Sequence, residues 1–258
     1  MRLPVLIRRP TLSRKIRHSF TKVTAMSTTE IIPGVLWQLS LRIVNVFVLN
    51  DGHELTVIDT GTPGSEGTIA KGIEGIGRKP TDVARIFVTH CHPDHAGSLA
   101  ALKRITKAPA AMHSEDAAMI RRGDAMRPIS PAPGFPRGLL FRMFVARAPR
   151  RVESAGIEAE LADGSQLGGL RAVDAPGHCA GQVALLWRSH RVLFVGDAAA
   201  NMMGLGLSLG YEDLELGKRS LARLAPLDFE VACFGHGAPI KRGASARFQE
   251  LWGRPAHT

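Results

Sequence analysis

The sequence predicts a mixed α/β fold whose strands fall into two groups, with helices between them. Runs rich in β-forming residues open the chain at 35–39 and 43–49, and short apolar runs return from about residue 157. Between the two groups, segments with helix-start and helix-end residues alternate with single buried strands. This alternation is typical of sheets covered by helices. The 258 residues are enough for one large domain or two small ones.

The first half reads as a hairpin followed by alternating helices and strands. Asn50–Gly52 is a hairpin turn signal, after which a strand returns over 54–58. Thr62–Ser65 offers helix-start chemistry, and Gly77 marks the end of that helix. The remaining elements expected in this half are strands at 85–88 and 109–112 and helices at 96–102 and 114–120.

Residues 121–151 interrupt this pattern and are interpreted as an insertion between the two halves. Five prolines surround an apolar stretch at 139–145. That stretch would be poorly placed in solvent, so we expect the insertion to form a lid over the functional site. Its arginines would favour an anionic substrate group or an anionic membrane surface.

The second half resumes near residue 157 with short strands up to Val173. Two strands, 183–187 and 192–195, are separated by Ser189-His190, which reads as a hairpin turn. The elements expected after them are a helix at 214–224, a buried strand at 231–234 and a helix at 244–251.

The net charge of +10 is unevenly distributed. Residues 1–25 carry seven Lys or Arg and no acid, and residues 121–151 carry eight Arg and one acid. The rest of the chain is mildly acidic, so the basic balance does not indicate a nucleic-acid partner. We interpret 1–25 as a basic tail, disordered or not translated, and 26–258 as a single domain.

Three cysteines without a C-x-x-C pair argue against a disulfide framework and favour a reducing compartment, and we expect a cytoplasmic protein. No apolar run reaches the roughly 18 residues of a membrane span. Peripheral membrane contact remains open, the oligomeric state is not predicted, and a small molecule is the expected partner.

Residues 89–95 read Thr-His-Cys-His-Pro-Asp-His on a loop between a strand and a helix. Side chains alternate in an extended loop, so His90, His92 and Asp94 can point one way while His95 points elsewhere. This geometry suits two neighbouring metal ions better than one.

The pattern resembles the signature of the metallo-β-lactamase fold superfamily, and four further motifs of that family follow its order. They centre on Asp59, His178, Asp197 and His236. The resemblance implies an αββα four-layer sandwich, in which two mixed sheets lie face to face with helices outside. The metal-binding loops of that fold gather at one end of the sheets.

The resemblance also implies roles for individual residues. His90, His92 and His178 would hold one metal, and Asp197 would bridge it to a second. Zinc is the implied metal, two ions per chain, with iron or manganese as alternatives. The second metal would be held by Asp94, His95 and His236.

The implied activity is metal-dependent hydrolysis by a metal-bound hydroxide, cleaving an ester, thioester or lactone of a small substrate. Asp94 would carry the proton near the leaving group, and Asp59 and Thr89 would support the ligands from behind. The candidate substrate-binding residues are Phe141, Phe144 and Tyr211.

The branch that includes glyoxalase II and the lactonases is favoured over class B1 β-lactamases, which place a cysteine where this chain has Asp197. Two departures separate the chain from those relatives. Ala200 stands where acyl-homoserine lactonases have a tyrosine, and the residues after His236 are too few for the helical domain of glyoxalase II. Alternatives are a mononuclear iron enzyme like the persulfide dioxygenases, through His90, His178 and Asp197, or a lactamase-type amide hydrolase.

Overall fold

The computed structural model describes residues 26–253. The predicted basic tail, 1–25, lies outside the described residues. The strands, in chain order, are β1 (Ser27–Ile32), β2 (Leu36–Leu41), β3 (Val44–Asn50), β4 (Leu55–Ile58), β5 (Val83–Phe87), β6 (Ala110–His113), β7 (Ser130–Pro131), β8 (Ala159–Leu161), β9 (Gln166–Leu167), β10 (Leu170–Asp174), β11 (Val183–Trp187), β12 (Val192–Gly196), β13 (Gly210–Tyr211) and β14 (Val231–Phe234). The helices are α1 (Glu66–Gly75), α2 (Leu99–Thr106), α3 (Ser114–Arg122), α4 (Arg137–Leu140), α5 (Leu214–Leu224) and α6 (Ala244–Trp252).

Two mixed sheets form the centre of the fold. The larger has the order β1-β2-β3-β4-β5-β6-β8, in which β1 to β4 are antiparallel and β5, β6 and β8 are added in parallel. The smaller has the order β14-β12-β11-β10-β9, with β12 and β14 parallel. A separate two-stranded ribbon joins β7 to β13.

Alternate residues of each strand face different apolar layers, as the period of two requires. In β3, Val46 and Val48 pack with α1 and α2, whereas Phe47 and Leu49 face the other sheet. In β11, Leu185 faces between the sheets. Its neighbours Ala184 and Leu186 pack with α5 and α6. The three apolar layers give a helix–sheet–sheet–helix sandwich, so the predicted αββα architecture is confirmed.

The structure differs from the sequence prediction at two strands. The edge strand β1 was not predicted, and half of its residues are exposed, so its apolar signal is weak. β8 was grouped with the second half, but it pairs in parallel with β6 and completes the larger sheet. The chain therefore returns to the first sheet after residues 121–151 before it builds the second.

Backbone hydrogen bonds hold the two ends of the 121–151 segment together. Ala125 N donates to Arg150 O at 2.9 Å, and Val152 N donates to Gly123 O at 3.0 Å. Between these ends, α4 continues into a single π-helical turn over Phe141–Val145. None of the helices within residues 26–253 has the length and apolar character needed to cross a bilayer.

Candidate metal centre

The predicted metal-binding residues lie on loops at one edge of the two sheets. Residues 89–95 follow β5, and the second-sheet ligands follow β12 and β14. Because neighbouring parallel strands end at the same edge, their loops meet there. The remaining ligand, His178, lies on the loop between β10 and β11. The structure therefore brings together all seven residues that the sequence singled out.

Two groups of three donor residues match the two predicted metal sites, and a third group, His90, His95 and Asp197, overlaps both. In each group, one donor atom from each residue lies within 4.8 Å of the others. One group joins the first two histidines of the β5 loop to the histidine after β10, and the other joins the end of the β5 loop to the histidine after β14. The members are His90, His92 and His178 in the first group and Asp94, His95 and His236 in the second.

Asp197 lies between the two groups. Its Oδ2 is 3.6 Å from His178 Nε2 and 3.2 Å from His236 Nε2. Its Oδ1 is 3.5 Å from His95 Nε2. A Cβ at Gly235 would lie 2.2 Å from Asp197 Oδ1, so the chain can approach this carboxylate only with glycine at that position.

Four buried polar atoms of these residues have no hydrogen-bond partner in the described part of the protein. They are the Nε2 atoms of His90, His92 and His95 and the Oδ1 atom of Asp197. A buried polar atom without a partner is costly, and such atoms call for an explanation. Imidazole nitrogen and carboxylate oxygen are the donors that zinc prefers, so the residues present fit divalent metal ions.

The opposite nitrogen of several histidines is held by the protein. His178 Nδ1 is 2.7 Å from Gly210 O, and His236 Nδ1 is 2.5 Å from Ile43 O. His95 Nδ1 is 2.9 Å from Asp59 Oδ2. With the Nδ1 proton donated in this way, each Nε2 presents its lone pair to the centre.

Asp59 and Thr89 lie behind the ligands, where the sequence analysis expects them. Thr89 Oγ1 is 3.0 Å from both oxygens of Asp59 and 3.1 Å from His90 Nδ1. Asp59 itself is buried and adopts a left-handed φ of 63°. Through these contacts one buried carboxylate braces two histidines of the centre.

The charges of the centre divide its histidines into two kinds. Burial lowers the pKa of His92 to about 3 and that of His90 well below its usual value, with neighbouring imidazoles adding to the effect. Burial also acts on His95, but the carboxylates of Asp197 and Asp94 outweigh it and raise its pKa to about 9. The same carboxylates, against burial, raise the pKa of His236 well above its usual value.

Metal binding to the metal-free protein is therefore expected to release protons near neutral pH. His95 and His236 carry protons below their raised pKa values, and a metal must displace them. Apparent zinc affinity should rise with pH through about pH 9, where the proton on His95 is lost without metal. Calorimetric titration of zinc in buffers of different ionisation enthalpy counts the released protons. A buffer-independent heat near neutral pH would contradict this prediction.

One buried carboxylate that the sequence did not indicate as a site residue fastens two metal loops together. Asp116 Oδ2 accepts from Cys91 N at 2.8 Å and from the thiol of Cys179 at 3.1 Å. Its Oδ1 accepts from Gly181 N at 3.2 Å and from Arg127 at 2.7 Å. Asp116 stands in the first turn of α3, where an acid is explained equally well by the helix dipole.

A cavity of about 270 Å³ opens beside the metal-binding groups. Five of the candidate ligands reach it, and its walls are largely apolar. The 121–151 segment supplies one wall, with Met126, Phe144, Val145, Ala148 and Pro149. The ligands that reach the cavity are His92, Asp94, His178, Asp197 and His236. Other lining residues that the sequence did not indicate include Ile43, Met202, Ser208 and Leu209.

The three predicted substrate-binding residues have different positions. Phe144 lines the cavity, as expected. Phe141 is buried and does not line the cavity, because its ring packs against Gly210. Tyr211 also lies outside it: its hydroxyl donates to Ala198 O and accepts from Ser208 N. Packing and backbone hydrogen bonds therefore occupy the side chains of Phe141 and Tyr211, and neither lines the cavity.

The expected contact between insertion arginines and an anionic substrate group is likewise not found in the cavity. None of the residues that line it, all within the described part of the chain, is a lysine or an arginine. Arg127 points instead to Asp116, and Arg151 pairs with Asp124 on the surface. The metal-binding groups and Ser208 are the main polar features of the walls.

Comparison with known proteins agrees with this geometry. Residues 39–236 match the model of the metallo-beta-lactamase superfamily, so the chain belongs to that superfamily. It is 26% identical over 222 residues to the probable metallo-hydrolase YflN of Bacillus subtilis, a match that covers 78% of this chain and 83% of YflN.

Two further similarities were found. The chain is 24% identical to the atrochrysone carboxyl ACP thioesterase of Aspergillus fumigatus, over 89% of this chain and 62% of that protein. A solved metallo-beta-lactamase family protein of Thermus thermophilus superposes with a TM-score of 0.62 at 28% identity, covering 87% of this chain and 80% of the other. Similar proteins are thus named as hydrolases or thioesterases.

Proposed function

We propose that this member of the metallo-beta-lactamase superfamily is a dinuclear zinc hydrolase that cleaves a thioester, ester or lactone next to an apolar acyl group. The observation that carries the proposal is the convergence of buried, partnerless nitrogen and oxygen atoms at one end of an apolar cavity. His90, His92 and His178 would hold one ion, Asp94, His95 and His236 the other, and Asp197 would contact both. When bound, the ions would supply a water of lowered pKa and polarise the substrate carbonyl.

Asp94 is suited to move the proton in this reaction. It lines the cavity, and its side chain is 27% exposed, so it can reach a bound substrate. Burial favours its neutral form, but His95 and His236 outweigh burial and hold its pKa well below the usual range. Asp94 is therefore ionised at neutral pH, and its position on the cavity wall is what would let it take up a proton and pass it to the leaving group.

The cavity walls support an apolar acyl group as the part of the substrate that enters. Met126, Phe144 and Val145 line the same cavity as the candidate ligands. A charged group placed against these apolar side chains would lose hydration without gaining a partner. The similarity to a protein named a thioesterase favours the thioester among the three bond types.

Metal analysis combined with a substrate panel tests this function. We expect about two zinc ions per chain. Turnover should be highest for medium-chain acyl thioesters and lower for a β-lactam. A single tightly bound iron together with oxygen consumption on a persulfide would overturn the proposal in favour of the dioxygenase alternative.

Replacing Phe144 by alanine should shorten the range of acyl chains that the enzyme accepts. The ring lines the cavity, and losing about 1–2 kcal/mol of apolar contact should raise KM for an octanoyl thioester roughly tenfold. The KM for an acetyl thioester should stay unchanged, because that group need not reach the wall. Phe135→Ala is the matched control, since Phe135 is 91% exposed and does not line the cavity. Equal effects of the two substitutions on the octanoyl substrate would refute this assignment of Phe144.

A further inference from the structure

The segment that forms the cavity wall also presents unusually exposed apolar side chains. Leu139 and Met143 are 55% and 52% exposed, and Phe135 is 91% exposed. Phe141 is buried and anchors the same helical segment to the body of the protein. Leu139, Arg142 and Met143 follow the i, i+3, i+4 spacing of one helix face, and all three are exposed.

The charges on this segment are of one sign, and three exposed arginines among them lack a carboxylate partner. Residues 125–152 contain no aspartate or glutamate. Arg142, Arg147 and Arg150 are exposed and make no ion pair with any carboxylate of residues 26–253. By contrast, the exposed arginines Arg122 and Arg151 both pair with Asp124. Unneutralised cations beside protruding apolar groups suit an anionic partner.

This surface adjoins the mouth of the cavity. Phe144, on the same helical turn, lines the cavity and is still 45% exposed. Met202 also lines the cavity and is 40% exposed, and its neighbour Met203 is 61% exposed. A partner docked on the exposed helix face would therefore lie next to the entrance through which an acyl chain passes.

We propose that Phe135, Leu139, Met143, Arg142, Arg147 and Arg150 form a docking surface for an anionic lipid bilayer, here called the mouth surface. Its apolar side chains protrude, and protruding side chains insert into a fluid acyl layer without needing a matching pocket. The arginines would bind lipid phosphates at the same time. An acidic protein partner would need a groove that fits the protruding Phe135 side chain, which is 91% exposed. A fluid bilayer needs no such groove.

Sedimentation of the full chain with lipid vesicles tests the mouth surface. Vesicles of phosphatidylcholine alone are compared with vesicles containing about one third phosphatidylglycerol. We expect binding to the anionic vesicles, weakened by salt, and little binding to the neutral ones.

The double variant Arg142→Gln, Arg147→Gln should bind anionic vesicles roughly thirtyfold more weakly, because each charge near the surface contributes about 1 kcal/mol. Phe135→Ser with Met143→Ser should weaken binding further at high salt, where apolar insertion dominates.

A matched control removes exposed arginines and an exposed apolar side chain from a different surface, near α6. Arg242, Arg247 and Leu251 are exposed near or on α6, and the triple variant Arg242→Gln, Arg247→Gln, Leu251→Ser should bind vesicles as the unmodified chain does. Thermal melts and turnover of a soluble short-chain thioester show whether each variant is folded. Absence of binding to anionic vesicles, or equal loss in the control, would overturn the proposal. Because vesicle binding is measured without turnover, its outcome is independent of the hydrolase proposal.

Discussion

Asp197→Ala is expected to remove at least one metal ion per chain and to lower kcat by about a thousandfold or more. Asp197 is the carboxylate that lies within 3.6 Å of histidine nitrogens from both donor groups. If the proposed metal pair carries the reaction, losing Asp197 would remove about 4 kcal/mol or more of transition-state stabilisation. Metal content by mass spectrometry and turnover of a short-chain thioester measure the two effects.

Asp228→Ala is the matched control for this substitution. Asp228 is on the surface, its side chain is 79% exposed, and it pairs only with Arg191 among residues 26–253. This variant should keep its metal ions and its kcat. An Asp197→Ala protein with two metal ions and near-normal turnover would show that the carboxylate does not hold the pair.

Asp116→Ala should produce the largest loss of stability among substitutions outside the metal ligands. The substitution leaves Arg127, two backbone N–H groups and the Cys179 thiol without their acceptor. Asp116 is fully buried but Arg127 is partly exposed, so the loss should be about 3 kcal/mol, the lower end of the range for a buried pair, and the substitution also releases two metal loops. Chemical denaturation of the metal-free protein should therefore show a large decrease in the free energy of unfolding.

The metal-loaded variant should show a second effect. Cys91 and Cys179 adjoin ligands of the first donor group, so releasing both loops should weaken zinc binding as well. The exposed pair of Asp228 and Arg191 again provides the comparison, with an expected loss of less than about 1 kcal/mol for Asp228→Ala. Similar losses for the two variants would mean that Asp116 does not fasten the loops.

The candidate ligands could be predicted from sequence because their information is local. Histidines and an aspartate at fixed spacing follow a strand, and parallel strands bring such loops to one edge. Asp116 could not be predicted, because its partners Cys91 and Cys179 lie 25 and 63 residues away. Nothing in its own neighbourhood distinguishes it from an ordinary acid at a helix start.

The positions of the aromatic side chains could not be predicted from sequence either. Phe141 and Phe144 both lie in the apolar stretch of the insertion, and sequence spacing alone does not say which faces the substrate. The contact of Phe141 with Gly210, a residue of the ribbon strand β13, decides it. Tyr211 is likewise withdrawn from the cavity by two backbone groups, at Ala198 and Ser208, whose proximity depends on how the 198–211 loop folds.

Backbone hydrogen bonds join Gly123 and Ala125 to Val152 and Arg150, so the cavity wall between them can vary while the sandwich stays the same. Once the ends of a flexible segment are held together, doubling its length costs only about 0.6 kcal/mol. Insertions and deletions in the exposed parts of this segment, away from Arg127, β7 and Phe141, are thus cheap for the fold, while the metal-binding loops stay in place. Chemistry and selectivity can therefore change independently in this molecule, and a graft of this one segment is the natural unit for exchanging substrate preference between relatives.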